Sequence, residues 1–312
     1  MAVEISDGGS TPHATNYSDL LAKLKTFLLA QGWTSVASLT NEEYLKGPGS
    51  GSDNIYVGIQ KFADVPNDNY AWVLQGLTGY VPATSFNSQP GAIPSNPPAL
   101  ALWNSTIPYW FVANGRRFIV VAKVSTLYMS AYCGWMLPYA IPASQWPYPL
   151  VIGGSTYAES NNNLVPLRYS GVNGKTSNYM IPINTDSNAG QLCLRDPSGT
   201  WQRPVNRSNA ESTIYNYWDG EGVWPWSNAT LDDLGGFNDM EKSLDGNYSL
   251  QPAIPHLEVA SRNVYGELDG VFHAPGRGQS AENIIQRGGV DHLVIQNVFR
   301  TAKDAYAAIK LS

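Results

Sequence analysis

The residues with the clearest capacity for chemistry stand close together, between Glu267 and His292. Imidazole and carboxylate groups are ligands for zinc and related cations. His273 and His292 with Asp269 and Asp291 would therefore make a metal site if two strands brought them together. Nothing in their spacing requires this, and the expectation is ordinary surface or turn residues; His13 and His256 are widely separated from them. Glu267 and Asp269 stand two apart, which on a strand puts both carboxylates on one face. A glycosidase needs its two carboxyls on opposite sides of the scissile bond, about 5 Å apart for retention and about 6.5–9.5 Å for inversion. Same-face neighbours can meet the distance but not easily the flanking geometry. The run Gly266 to Phe272 is therefore expected to be a strand entering a turn, with Asp269 bonding local backbone.

The other candidates are weaker. Gly276-Arg-Gly278 lacks the strand–glycine–helix context of a phosphate cradle and reads as a turn. Asp232-Asp233 reads as a solvated loop or helix start, and the Asn104 and Asn228 glycosylation triplets are chance in so Asn- and Ser-rich a chain. Trp146-Pro147-Tyr148-Pro149 and Trp224-Pro225-Trp226 could stack on sugars, although burial in a β core is the commoner use of Trp. The sequence contains no HExxH, GxSxG, Walker or EF-hand spacing. The expectation is a protein that is not an enzyme, with no catalytic, cofactor-binding or metal-ligating residues.

Composition narrows the class. The 312 residues suffice for one large or two ordinary domains that need no disulfide or metal staple. Charged residues make up 14%, against about 25% in a typical globular chain, while Trp and Tyr number 10 and 18. Uncharged polar and aromatic surface suits protein–protein contact, and aromatics also favour strands. A net charge of -6 and no basic run argue against binding nucleic acid through its phosphates. Met1 to Thr11 lacks the basic and apolar regions of a signal peptide, and no apolar run approaches the ~20 residues that span a bilayer. Synthesis in a cytoplasm follows, with Cys133 and Cys193 as free buried thiols rather than a bridge.

The elements that must position these groups are mostly strands. Leu20, Leu21, Leu24, Phe27 and Leu28 make one apolar stripe, predicting an amphipathic helix over about Tyr17 to Gln31, capped by Asn16 and ended at Gly32. Ile55, Val57 and Ile59 alternate with Tyr56, Gly58 and Gln60, and Tyr70 to Leu77 and Leu127 to Leu137 are also strand-like. Five prolines between Val81 and Ala99 predict an extended loop, functionally an arm over a neighbour. Asn114-Gly115 predicts a type I′ hairpin in which Ala113 faces Arg116, Phe111 faces Phe118 and Trp110 faces Ile119. Tyr109, Phe111, Phe118 and Val120 share one face, and Trp110, Val112, Ile119 and Val121 the other. Both faces are apolar, so both should be covered, by the same domain or by a second subunit. Short strands are expected near Asn178 to Ile183 and Gln191 to Arg195, and Val290 to Phe299 should pair with Ala305 to Leu311.

Two blocks, Ile107 to Thr126 (IPYWFVANGRRFIVVAKVST) and Tyr265 to Leu311 (YGELDGVFHAPGRGQSAENIIQRGGVDHLVIQNVFRTAKDAYAAIKL), resemble segments of a family of tailed-phage and prophage virion structural proteins. The opening helix, Leu45-Lys-Gly-Pro-Gly and Ile55-Tyr-Val-Gly are similar to that family too, and the middle third is least distinctive. The turn around His273 to Ser280 departs from the family's form, so no contact made by that loop is carried over. The resemblance implies a non-enzymatic tail or baseplate component, located in the virion and assembled in the bacterial cytoplasm. Its partners would be other virion proteins and copies of itself in a symmetric ring, with no nucleic acid and no membrane insertion. The alternative from another class is a carbohydrate-binding or carbohydrate-cleaving tail protein acting on the host envelope.

The fold expected is α+β and predominantly β, with antiparallel sheets or a sandwich- or barrel-like core and long loops. Residues 1–150 form a helix plus β-rich part, 151–255 a loop-rich insertion or subdomain, and 256–312 a hairpin region completing the core.

Overall fold

The structure is a computed structural model of the chain. It describes residues 1–6, 12–50, 53–139, 150–157, 192–203, 222–224, 247–259, 261–276, 278–296 and 306–311. The expected strand near Asn178 to Ile183, the Trp146 and Asp232 segments, and Trp226 lie outside these residues.

In chain order the elements begin with strand β1 (Ala2–Ile5), helix α1 (Tyr17–Ala30), β2 (Thr34–Ser38), β3 (Glu42–Ser50) and β4 (Asp53–Asp64). There follow β5 (Asn69–Leu77), β6 (Pro98–Leu102), β7 (Tyr109–Ala113), β8 (Arg117–Val124), β9 (Leu127–Trp135) and β10 (Leu137–Pro138). Next come β11 (Leu150–Gly153), β12 (Thr156–Tyr157), β13 (Leu192–Arg195), β14 (Trp201–Gln202), β15 (Gly222–Trp224) and β16 (Gln251–Pro252). The last are β17 (Ile254–Val259), β18 (Ser261–Val264), β19 (Gly266–Glu267), β20 (Val271–His273), β21 (Ile284–Arg287), β22 (Val290–Gln296) and β23 (Tyr306–Lys310). Strand predominates and every ladder is antiparallel, so the α+β, predominantly β class is the one observed.

Three sheets stack in layers. A central seven-stranded sheet has the order β1-β7-β8-β9-β11-β13-β14, flanked by a six-stranded sheet, β12-β6-β5-β4-β3-β2, and a five-stranded one, β16-β20-β23-β22-β21. One core lies between the central and six-stranded sheets and includes the buried stripe Leu20, Leu24, Phe27 and Leu28 of α1. A second core, with Trp110, Val112, Ile119 and Val121 on one side and Val271, Leu293, Ile295 and Ile309 on the other, joins the central sheet to the five-stranded sheet.

Helix α1 begins where Asn16 accepts hydrogen bonds from the Ser18 and Asp19 N–H groups, both 2.9 Å. It ends at Gly32, φ +83°, where Gly32 N–H bonds Leu29 O and Trp33 N–H bonds Leu28 O. That pair of bonds is the Schellman arrangement, and Trp33 joins Leu28 in the same core.

The β7–β8 hairpin forms, but not with the expected turn. Ala113 faces Phe118, Phe111 faces Val120 and Trp110 faces Val121, and Asn114 N–H bonds Arg117 O. The loop residues are therefore Gly115 and Arg116, and neither Asn114 nor Gly115 has positive φ. The Asn114 side chain explains the correction: its Oδ1 accepts from the N–H groups of Arg116 (2.8 Å) and Arg117 (3.0 Å), closing a side-chain turn one residue later. A register displaced by two residues leaves each side chain on its expected face, since strand faces alternate with period two. Both faces are covered by this chain's own layers.

The proline-rich segment is also corrected. Pro98 and Ala99 belong to β6, and the preceding loop folds back on its own sheet. Gln89 clamps it by accepting from Val81 N–H and donating to Val81 O and Thr84 O, while Gln75 of β5 bonds both N–H and O of Ile93. Phe86, Gln89 and Ile93 are buried, so the segment is a packed surface loop rather than an extended arm.

Candidate functional site

The run from Gly266 is a strand entering a turn, as expected, but the Asp269 side chain meets Arg117 and Asn114 rather than local backbone. Glu267 lies in β19, which pairs with β10, whereas Asp269 lies in the turn before β20. Their carboxylates consequently meet different partners. Tyr139 donates to Glu267 at 3.0 Å near the surface, and Asp269 reaches inward to Arg117. The two carboxylates are thus engaged separately, one at the surface and one in the interior.

His273 and His292 are separated by their sheet. His273 shares the face of Val271, which looks toward the central sheet, while His292 packs edge-on against Phe272 on the other face at 5.4 Å. Burial lowers the pKa of both rings, that of His273 to about 4. Asp291 accepts from Gln286. Among the described residues no group of three or more His, Cys, Asp or Glu side chains converges to hold a metal. Ile152 pairs with Cys133 on one side and Cys193 on the other, so the Cα atoms of the two cysteines sit two strand spacings apart, about 9.6 Å. That exceeds the ~7 Å Cα limit of a disulfide, and both cysteines are free and buried.

The most elaborate polar constellation surrounds Arg117, which is 0% exposed although it stands at the start of an apolar strand. Its Nε lies 3.2 Å from Asp269 Oδ2, close enough for an ion pair but not aligned as a hydrogen bond. Asn114 Nδ2 donates to the same oxygen at 2.8 Å, and Trp33 Nε1 donates to Asn114 O at 2.9 Å. Tyr132 accepts from Asp269 N–H and donates to Trp135 O at 2.6 Å; burial pushes its phenol well above its ordinary range. Two glycines make room. A Cβ on Gly270, φ +77°, would come 2.6 Å from Arg117 Nη2, and one on Gly134, φ +141°, would come 2.4 Å from Arg117 Cα. The constellation locks the β7–β8 turn to the C-terminal layer. Sequence reasoning missed it, yet Arg117 beginning a strand with two apolar faces was a usable signal, because a buried cation requires a partner.

A second link joins the same layers. Lys123 and Tyr128 both bond Glu282, the phenol at 2.5 Å, and burial with that bond raises the Tyr128 pKa to about 12. Glu282 itself has φ +72°, an uncommon conformation for a non-glycine residue.

A cleft of about 220 Å³ opens where the end of β4–β5 meets β9, β11 and β13. Leu77, Leu150 and Trp135 form a largely buried apolar floor, and Tyr56, Asn54, Thr78 and Arg195 complete the lining. Arg195 is held by its Nε, which donates to Gly199 O at 3.1 Å. The adjacent Asp196 carboxylate turns away into its own hairpin turn, accepting from Ser198, Thr200 and Gln202.

No helix of the described residues is long and apolar enough to cross a membrane. No model of a known protein family matches this chain, and no curated protein matches it.

Proposed function

We propose that this chain is a structural subunit of a tailed-phage particle, placed in the tail or baseplate, that joins copies of itself and other virion proteins. The observation that carries this reading is how the two resemblance blocks meet. Ile107 to Thr126 supplies β7 and β8, the second and third strands of the seven-stranded sheet, and Tyr265 to Leu311 supplies most of the five-stranded sheet packed on it. Arg117–Asp269 and Lys123–Glu282 tie one block to the other. Segments far apart in sequence thus make one folded unit, as expected when a resemblance marks a shared scaffold rather than scattered short matches.

The aromatic hairpin is buried within the chain, so joining falls to sheet edges and loops. Strand β2 ends the six-stranded sheet and carries neither charge nor proline, the usual protections of an edge. The test is an image reconstruction of intact particles, with antibody or tag labelling of this chain. Label in a symmetric ring of the tail or baseplate is the expected result. Particles assembled normally without the chain, or label confined to unassembled protein, would overturn the proposal.

A further inference from the structure

We propose that Asn114 is a latent deamidation site: the contact between the β7–β8 turn and the C-terminal layer keeps its amide intact, and opening that contact lets the amide be lost for good. Asparagine followed by glycine is the pair that cyclises most readily, because the glycine nitrogen has no adjoining side chain to shield it. The reaction balances without an oxidant or reductant. The Gly115 backbone nitrogen gives up its proton and attacks Asn114 Cγ; the Cγ–Nδ2 bond breaks, and ammonia leaves with a proton as an imide closes. Water then opens one imide carbonyl or the other, leaving aspartate or isoaspartate. For the attack, the Asn114 side chain must turn its carbonyl carbon onto the Gly115 nitrogen, and the fold ties down both ends of the amide. Oδ1 accepts from Arg116 N–H at 2.8 Å and Arg117 N–H at 3.0 Å, and Nδ2 donates to Asp269 Oδ2 at 2.8 Å. The backbone is held as well: Asn114 N–H bonds Arg117 O, Asn114 O accepts from Trp33 Nε1, and Gly115 O accepts from Gly49 N–H. Asp269 is the tie that comes from another layer. It is buried on the turn between β19 and β20, against Arg117. The product does not fit where the amide did. Aspartate at position 114 can still close the turn by accepting from the same N–H groups, but it replaces the Nδ2 donor with an acceptor facing the Asp269 carboxylate. Brief opening is therefore reversible and prolonged opening is not, which makes the turn a one-way record of separation between the layers. The site does not depend on the virion assignment.

The experiment incubates the full chain in mildly alkaline buffer, folded and in urea above its unfolding midpoint. Proteolytic peptide mapping by mass spectrometry follows Asn114 and separates it from the other Asn-Gly pair, Asn173-Gly174. Folded wild type should lose the Asn114 amide roughly a hundredfold or more slowly than the unfolded chain. Asp269→Ala should raise the folded-state rate roughly tenfold or more, because it removes a hydrogen bond to a charged acceptor. Should that variant unfold, Arg117→Met with Asp269→Leu removes the same acceptor without orphaning a charge. Asn114→Asp, the product itself, should lower the urea midpoint even though the turn keeps its acceptor. Equal rates in folded and unfolded wild type overturn the seal; a folded-state rate unchanged by loss of Asp269 overturns the interlayer tie, and a wild-type midpoint in Asn114→Asp overturns the one-way step.

Discussion

Asp269→Ala leaves Arg117 as a fully buried cation without its carboxylate, and the cost follows from the geometry. At 3.2 Å and an effective dielectric of ~20, the pair attracts by about 5 kcal/mol before solvation is counted. Burying the guanidinium costs several kcal/mol, so the intact pair is close to neutral as a contribution to stability. Removing only the acid cancels the attraction and keeps the desolvation, for a net loss of about 3–5 kcal/mol. Asn114 Nδ2 and Asp269 N–H belong to the same network, so the loss should sit at the upper end. Urea unfolding followed by Trp fluorescence measures it, as a lower midpoint at unchanged slope. Arg117→Met combined with Asp269→Leu should recover most of the stability, because a matched apolar pair leaves no orphaned charge. Glu267→Gln, two residues away and near the surface, should stay within about 0.5 kcal/mol of wild type. An Asp269→Ala variant within 1 kcal/mol of wild type would refute the argument, since Arg117 would then need another source of compensation.

Two further outcomes follow from single residues. Burial holds His273 near pKa 4, below the ordinary 6.5, so as pH falls the unfolded chain takes up a proton before the folded one. Stability from this group is full above about 6.5 and declines by about 3 kcal/mol as pH approaches 4; urea midpoints at pH 7.5 and 4.5 should converge in His273→Leu relative to wild type. Gly134→Ala sets a Cβ 2.4 Å from backbone at positive φ and should lower stability by roughly 1–3 kcal/mol, whereas Gly115→Ala meets only Pro48 Cγ at 3.0 Å with no φ penalty and should cost less than half as much by thermal melting.

Local features were the legible ones. Asn16, the leucine stripe and Gly32 delimit α1 by bonds within a few residues, and the structure places each in the expected role. Hairpin faces were legible because alternation survives any even displacement, but the register was not, since Asn114 closes the turn with its side chain and not with positive φ. Long-range choices left weaker traces. Asp269 could bond local backbone or a distant cation, and only the approach of the C-terminal layer to Arg117 decides between them. The proline-rich segment likewise reads as extended until Gln75 and Gln89, residues with no distinguishing neighbours in sequence, are found buried and holding it down.

Of the two origins that composition allows for the low charge content, a joining surface or a β-rich core, the described aromatic residues favour the core. A central sheet covered on both sides needs two apolar faces, so Trp110 and Tyr132 enter one core while Tyr109 and Phe111 enter the other, and Trp33 and Trp72 are buried as well. Aromatic surplus in these residues is spent inside and cannot argue for a joining surface. The edge β2 can. Val36 is 40% exposed and Leu39 56%, at the end of a sheet whose last strand has no charge to repel another chain. The irregularity in pairing between Ser35 and Ala37 is a protection of another kind. Val36→Lys adds the charge that edges usually carry, and at so exposed a position it should change the stability of the isolated chain by no more than about 0.5 kcal/mol. If copies meet along this edge, light scattering of the variant should report smaller assemblies than wild type at the same concentration. Unchanged assembly with unchanged stability would remove β2 from the joining surface and leave the loops to carry it.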